Sequence, residues 1–217
     1  MCRRLGGIPL AIELATVRTT ALSLQHISEK LDDIFGLRVG GDRTAPDRQR
    51  TLRATMAWSH KLLSEEERLV FRRLSVFAGG FELEAAEAVC AGGGVESGEA
   101  LEPLSRLVDK SLVVVTERGG EVRYRLLQTV RQYASGRLEA AAEGEAVGRH
   151  HALYFLSLVE EAEPELNAAG QAEWLERLAR ELDNLRAAAV AAGERRDGDL
   201  HAPGRSPLAL LLPPQLI

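Results

Sequence analysis

Apolar residues recur at helical spacing through most of the chain, and the period switches once to that of a strand pair. Leu52, Met56, Leu62 and Leu63 share a face and predict one helix over the stretch beginning at Thr51. Ser64 is followed by Glu65, Glu66 and Glu67. A serine with acids in the next turn predicts a helix N-cap with a capping box and a favourable macrodipole interaction. Leu69, Val70, Leu74 and Phe77 give this second helix its core face, and Gly79-Gly80 is expected to stop it in a left-handed C-cap. A third helix is expected from about Glu82 to Cys90 and a fourth from about Glu99 to Lys110. At Ser111 the period changes: Leu112 to Val115 favour a strand, Gly119-Gly120 signals a hairpin turn, and Val122, Tyr124 and Leu126 form the returning strand. From Gln128 the helical period resumes through Val130, Tyr133, Ala134 and Leu138. Several helices followed by a β-hairpin is the order of a winged helix-turn-helix. The expected fold class is therefore mainly α, with a two-stranded β wing, flanked by helical-bundle and TPR-like helices.

The flanks divide the chain further. In residues 1–42, Pro9 sits in a first helical turn, Leu10, Leu14 and Val17 share a face, and Ser23 caps a second helix running to Phe35. Two such short helices bury little surface, so this part reads as the tail of a domain whose body lies elsewhere. Residues 43–50 read as a polar linker and 51–142 as the winged-helix domain, with Ala141 to Gly148 a further joint. Residues 149–192 begin a TPR-like array. His150 to Glu163 and Gln171 to Ala192 are its helices, Pro164 interrupts the first, and Trp174, Leu175, Leu178, Leu182 and Leu185 line the second. One such pair leaves a face uncovered, so further repeats are expected. Residues 193–217 turn Gly-, Arg- and Pro-rich. Pro203, Pro207, Pro213 and Pro214 preclude a continuous helix there, and the segment is expected to be disordered or an out-of-frame tail.

Composition adds limits. Only 5% of the 217 residues are aromatic, so Leu, Val and Ala must fill most of the core. The formal charge of −5 is spread over interspersed acids and bases, with no basic stripe. Cys2 and Cys90 lie far apart without zinc-site spacing, and Cys90 reads as a buried free thiol. His150 and His151, adjacent at a helix start, read as solvated surface residues rather than metal ligands, and His60 has no Cys or Asp at ligand spacing. No GxSxG elbow or Ser/His/Asp order stands out, so neither catalytic nor metal residues are expected. Gly92-Gly93-Gly94 reads as a surface turn between helices. There is no apolar h-region at the start and no run near the ~20 residues of a membrane span, which favours a cytoplasmic protein and no membrane partner.

Four stretches in order, GGIPLAIELA, TLRATMAWSHKLLSEEERLVFRRLSVFAGGF, LVDKSLV and YRLLQTVRQYA, give the chain a resemblance to the bacterial NB-ARC-type STAND ATPases, a group that includes LuxR- and SARP-type transcriptional regulators. The resemblance runs from about Arg3 to about Ala192. It implies that residues 1–42 are the remnant of an ARC1-like helical domain whose GxP motif is Gly7, Ile8 and Pro9, the proline lying near the adenine of a nucleotide. It also implies that 51–142 is an ARC2-like winged helix with Leu126, Leu127 and Gln128 at the MHD position. Leu127 stands where a histidine would contact the nucleotide β-phosphate. No GxxxxGK[ST] loop and no Walker B strand occur in the chain. Phosphate binding needs that loop of backbone N–H groups with its Lys and hydroxyl. The chain is thus not expected to be an enzyme by itself or to hold a cofactor, with ATP or ADP bound by a missing P-loop domain of the parent.

The function implied is a winged-helix module coupling nucleotide state to a helical sensor. Its partners would be the missing nucleotide domain, downstream repeats, and a protein or small-molecule signal. DNA is not expected as a partner of this module. The fourth helix sets Glu102 and Asp109 against Arg106 and Lys110, and the wing tip runs Glu117-Arg118-Gly119-Gly120-Glu121, so the phosphate attraction that dominates affinity is weak. A DNA-binding winged-helix transcriptional regulator and a passive helical scaffold for proteins are the alternatives. Arg123, Arg125 and Arg131 either meet acids of a neighbouring domain or are ordinary solvated residues.

Overall fold

A computed structural model describes residues 9–17, 47–96, 98–118, 120–166 and 170–198. Helix α1 (Pro9–Val17) packs on α2 (Asp47–Lys61), with Leu14 fully buried between them. The last four residues of the expected linker, Asp47 to Arg50, are the first turn of α2. Met56 and Leu63 are buried as the pattern requires, whereas Leu62 lies in the turn after α2 and is exposed.

Helix α3 (Glu65–Arg73) begins as its sequence dictates. The Glu67 backbone N–H donates to Ser64 Oγ at 3.2 Å, and the Ser64 N–H donates to Glu67 Oε2 at 2.8 Å. Two donors left without helical partners are satisfied reciprocally. The same Glu67, 2% exposed, pairs through Oε1 with Lys110. A turn of 3-10 helix (Leu74–Val76) continues α3. The expected glycine C-cap is not what ends it: Leu74 caps α3 in right-handed geometry and Phe77 is extended, with neither Gly79 nor Gly80 at positive φ. Gly80 is there for closeness. A Cβ on Gly80 would stand 3.3 Å from the Tyr124 carbonyl oxygen, and one on Gly79 would stand 3.4 Å from Asp183 Cβ.

Helix α4 (Leu83–Cys90) follows, then the glycine turn, in which Gly92 and Val95 bridge and Gly92, Gly93 and Gly94 all have positive φ. Arg73 reaches under this turn. Its Nη1 donates to the carbonyls of Cys90 at 2.6 Å and Gly92 at 2.5 Å, so one guanidinium closes the C-terminus of α4. Helix α5 (Leu101–Asp109) packs Pro103, Leu104 and Leu107 inward against α3. Strands β1 (Val114–Arg118) and β2 (Glu121–Arg125) pair antiparallel, with Thr116 opposite Arg123 and Val115 opposite Tyr124. Phe81 adds a third rung: its N–H and carbonyl exchange bonds with Tyr124, each 2.8 Å. Helix α6 (Gln128–Ala140) then buries Val130, Ala134 and Leu138.

The C-terminal helices are α7 (Gly144–Glu165), α8 (Gln171–Arg180) and α9 (Leu182–Gly198). Helix α7 starts inside the expected joint, and Pro164 lies in its last turn instead of ending it early. The single helix expected from Gln171 breaks at Glu181 into α8 and α9, and α9 remains helical to Gly198, beyond the expected boundary at Ala192. The rest of the expected tail, from Asp199, lies outside the described residues.

The core is continuous from the winged helix into α7–α9. Phe77 stacks on Phe81 with centroids 4.4 Å apart and meets Phe155 of α7 edge-on at 6.3 Å. His151 corrects the expectation of a solvated histidine pair. It is 3% exposed, with its ring 5.2 Å from Phe77 and 4.7 Å from Phe155. The i to i+4 spacing of His151 and Phe155 puts both on the face of α7 that covers Phe77, and adjacency in sequence gave no hint of that. Burial pushes the imidazole down to about 4, with Asn184 pulling weakly the other way. Cys90 is fully buried, and burial pushes its thiol up to about 12. Among the described residues no helix is long and apolar enough to cross a membrane, and no cluster of His, Cys, Asp or Glu could hold a metal ion.

Candidate nucleic-acid interface

Helix α5 is amphipathic along its length. Leu104 and Leu107 are fully buried, while Leu101, Glu102, Ser105 and Asp109 face solvent. Its two cations are already engaged: Arg106 pairs with Glu102 one turn earlier, and Lys110 pairs with the buried Glu67. An open groove beside the N-terminal half of α5 is lined by Glu66, Glu99, Leu101, Glu102 and Ser105. The exposed face of this helix thus offers carboxylates and one hydroxyl, with no free basic side chain.

The wing carries a different charge pattern. Arg125, at the end of β2, is exposed and has no carboxylate within ion-pair distance among the described residues. Arg123, two positions earlier, is the opposite case. Its Nη1 lies 2.9 Å from Glu82 Oε1 and 2.5 Å from Glu181 Oε1, and its Nη2 donates to the Gly80 carbonyl at 3.0 Å. Burial alone would lower the Arg123 pKa, but Glu181 and Glu82 more than offset this and hold it above the usual value. Arg131 donates to the Phe77 carbonyl at 3.2 Å. Of the three arginines, Arg123 meets acids of neighbouring elements, Arg131 ties α6 to the loop after α3, and Arg125 is solvated.

The residues implied by the resemblance fall at two ends of the chain. Gly7 and Ile8 lie outside the described residues, and Pro9 is the first residue of α1. Leu126 is buried, Leu127 is the N-cap residue of α6 without a side-chain cap bond, and Gln128 is exposed on the first turn.

A second polar cluster had no forecast. Asn184, 1% exposed on α9, accepts from the Ala78 and Gly79 N–H groups at 2.9 and 3.2 Å through Oδ1. Its Nδ2 donates to the Gly80 carbonyl at 2.8 Å and to Glu181 Oε2 at 2.7 Å. The one available signal was an Asp-Asn pair inside an otherwise Leu- and Ala-rich helix, which has the same composition as an exposed turn.

Residues 63–139 match the Winged helix-turn-helix domain family. Over 191 residues, 87% of its length, the chain is 47% identical to a protein of Mycobacterium tuberculosis named "Putative HTH-type transcriptional regulator Rv0890c" and equally to its Mycobacterium bovis counterpart, Mb0914c. It is also 49% identical over 150 residues, 68% of its length, to "Uncharacterized protein Rv0894" of Mycobacterium tuberculosis. The chain spans 21% of the length of the first two and 38% of the third.

These matches overturn the expectation that DNA is no partner of this module, because both the domain family and the relatives' names point toward DNA binding. The charge count went wrong by weighing one helix and the wing tip. Contacts that position a protein on phosphate also come from hydroxyls and backbone N–H groups anywhere along the interface. Ser105, Thr116 and Arg125 are exposed donors on α5, β1 and β2. Residues 63–139 are a winged helix-turn-helix domain, and the described residues on either side of it are helical.

Proposed function

We propose that the chain is the winged-helix segment of a transcriptional regulator and that its partner is duplex DNA. What carries this reading is the coincidence of the domain match over residues 63–139 with an amphipathic α5 whose outer face is exposed. In this family of folds such a helix enters the major groove and the wing lies along the backbone. The acids on α5 then act in readout: a carboxylate accepts from the cytosine N4 amine, and a serine hydroxyl bonds either edge. Glu102, Ser105 and Asp109 are the reading residues, and Arg125 is a phosphate contact.

The test is selection of duplexes from a random pool by the full chain, followed by fluorescence anisotropy at low and physiological salt. Sequence-selective binding that weakens with salt is expected, with the selected site at least about a thousandfold tighter than random duplex. No enrichment of any sequence and no binding at low salt would overturn it.

A second reading draws on the resemblance to STAND ATPases: the winged helix couples ADP or ATP, held by a nucleotide domain of a longer parent, to a helical sensor. In that reading the chain alone hydrolyses nothing. The polar link from α9 to the Gly79–Gly80 turn supports a coupling role, since it ties the winged helix to the following helical pair. Fluorescent ADP titrated into the full-length parent, with and without magnesium, tests it. A parent that binds no nucleotide would exclude it.

A further inference from the structure

The wing is held from two sides. On the winged-helix side, Phe81 exchanges two backbone bonds with Tyr124 and Glu82 takes Arg123. On the other side, Glu181, at the break between α8 and α9, reaches the same guanidinium with its Oε1 while its Oε2 accepts from Asn184. Asn184 in turn holds three consecutive backbone positions, Ala78 to Gly80, that lead into the Phe81 rung. A more exposed pair, Arg180 with Glu121 at 2.7 Å, adds a contact at the far end of β2.

The burial pattern separates these contacts by weight. Arg180 and Glu121 are 34% and 48% exposed, and a pair that open contributes little. The side chains of Glu181 and Arg123 are 7% and 17% exposed, and both are committed to several bonds. Removing one member there leaves the other buried and unpaired, which is costly. Among the described residues the backbone pairing of the hairpin is two strands and one extra rung, and a two-stranded ribbon is marginal without support.

We propose that the helical pair α8–α9 sets the pose of the wing, with Arg123 the positioning residue through which Glu181 and Asn184 act. The DNA consequence rests on the reading above; the mechanical one does not. Displacing α8–α9 releases β2 from one side, and the wing then samples poses that no longer match α5 in the groove. Binding of DNA and the position of the helical pair are thereby linked in both directions.

The test uses the full chain with Glu181→Gln, Arg123→Gln and the double variant, plus Glu65→Gln at an exposed pair on α3 as a control. Amide hydrogen exchange of Val114–Arg125 is read beside that of buried α3 and α5 amides such as Val70 and Leu107. Each single variant is expected to speed hairpin exchange by about tenfold with α3 and α5 unchanged, and the double variant to add little to the larger single effect. DNA affinity should fall with the hairpin protection. Where Glu181→Gln loosens the α3 and α5 amides as well, Arg123→Lys decides on the same readout, since it keeps the charge and gives up the fork. Hairpin exchange that stays at the wild-type rate in folded variants would overturn the proposal, and so would faster exchange with unchanged DNA affinity. Failure of the wild-type chain to bind any duplex removes the DNA reading and leaves the exchange data to decide the mechanical claim.

Discussion

The side chain of Asn184 donates to the carbonyl of Gly80, 104 positions earlier in the chain, at 2.8 Å. That bond joins α9 to the turn between α3 and the Phe81 rung, and it is one of four that saturate the amide. Asn184 is to α9 what a capping residue is to a helix end: it satisfies backbone groups that no regular element can reach. The helical pair is therefore built into the winged-helix core, and the 63–139 domain match stops short of the folding unit.

Asn184→Ala removes all four bonds and leaves the part-buried Ala78 and Gly79 N–H groups without their acceptor. Buried donors left unsatisfied cost roughly 1–3 kcal/mol each, so a loss of about 3 kcal/mol is expected after partial relaxation. Urea denaturation followed by far-UV circular dichroism checks it, and a loss below about 1 kcal/mol would show that water replaces the amide.

His151 gives the fold a pH dependence. Its imidazole titrates near 6.5 when unfolded and near 4 when folded, because burial opposes the charged form. Between those values the unfolded chain binds the additional proton, so this contribution to stability is full above about pH 6.5 and is lost as pH falls toward 4. Its ceiling is roughly 3 kcal/mol. His60, also lowered to about 4 by burial and then by Arg137, Arg68 and Arg72, adds in the same window but is only half-buried. Chemical denaturation at about pH 5 and pH 7 is the measurement, and His151→Leu is expected to flatten the difference by more than half.

Much of this fold was legible, and the reasons are local. Ser64 and Glu67 announced α3 because a capping box is a four-residue device, and the strand period from Leu112 to Tyr124 announced the wing for the same reason. The misreadings involve residues whose role is set by distant chain. Gly79-Gly80 has the composition of a helix stop, yet the smallness of Gly80 serves the Tyr124 carbonyl of the wing. His151 looks like its half-buried neighbour His150 until Phe77 is placed against it. On α5 the mixed charges were readable, but their engagement with Glu67 and Glu102 was not, and the charge argument against DNA drew more from them than they carried.

Cys90 is expected to be inert in the folded chain. It is fully buried at the end of α4, and burial holds its thiol near 12, so almost no thiolate exists at pH 8. A thiol reagent should label it at the rate of unfolding and no faster, while labelling in denaturant should be immediate. Native-state labelling that outpaces global unfolding would reveal a local opening of the α4 C-terminus, where Arg73 supplies the closing bonds.

Arg125 separates the two kinds of DNA contact. It is exposed and has no acidic partner among the described residues, so Arg125→Ala should leave stability within about 0.5 kcal/mol of wild type. If it touches phosphate, the variant loses affinity evenly across sequences, and the slope of log K against log salt shrinks by about 1. Glu102→Gln on α5 should do the reverse: the salt slope holds, and preference relaxes at one base position by about 1–3 kcal/mol. Anisotropy titrations of both variants against the selected duplex and its point variants separate the cases. A slope unchanged by Arg125→Ala would remove this residue from the backbone contacts. A preference unchanged by Glu102→Gln would mean that α5 is read through Ser105 and Asp109 or not at all.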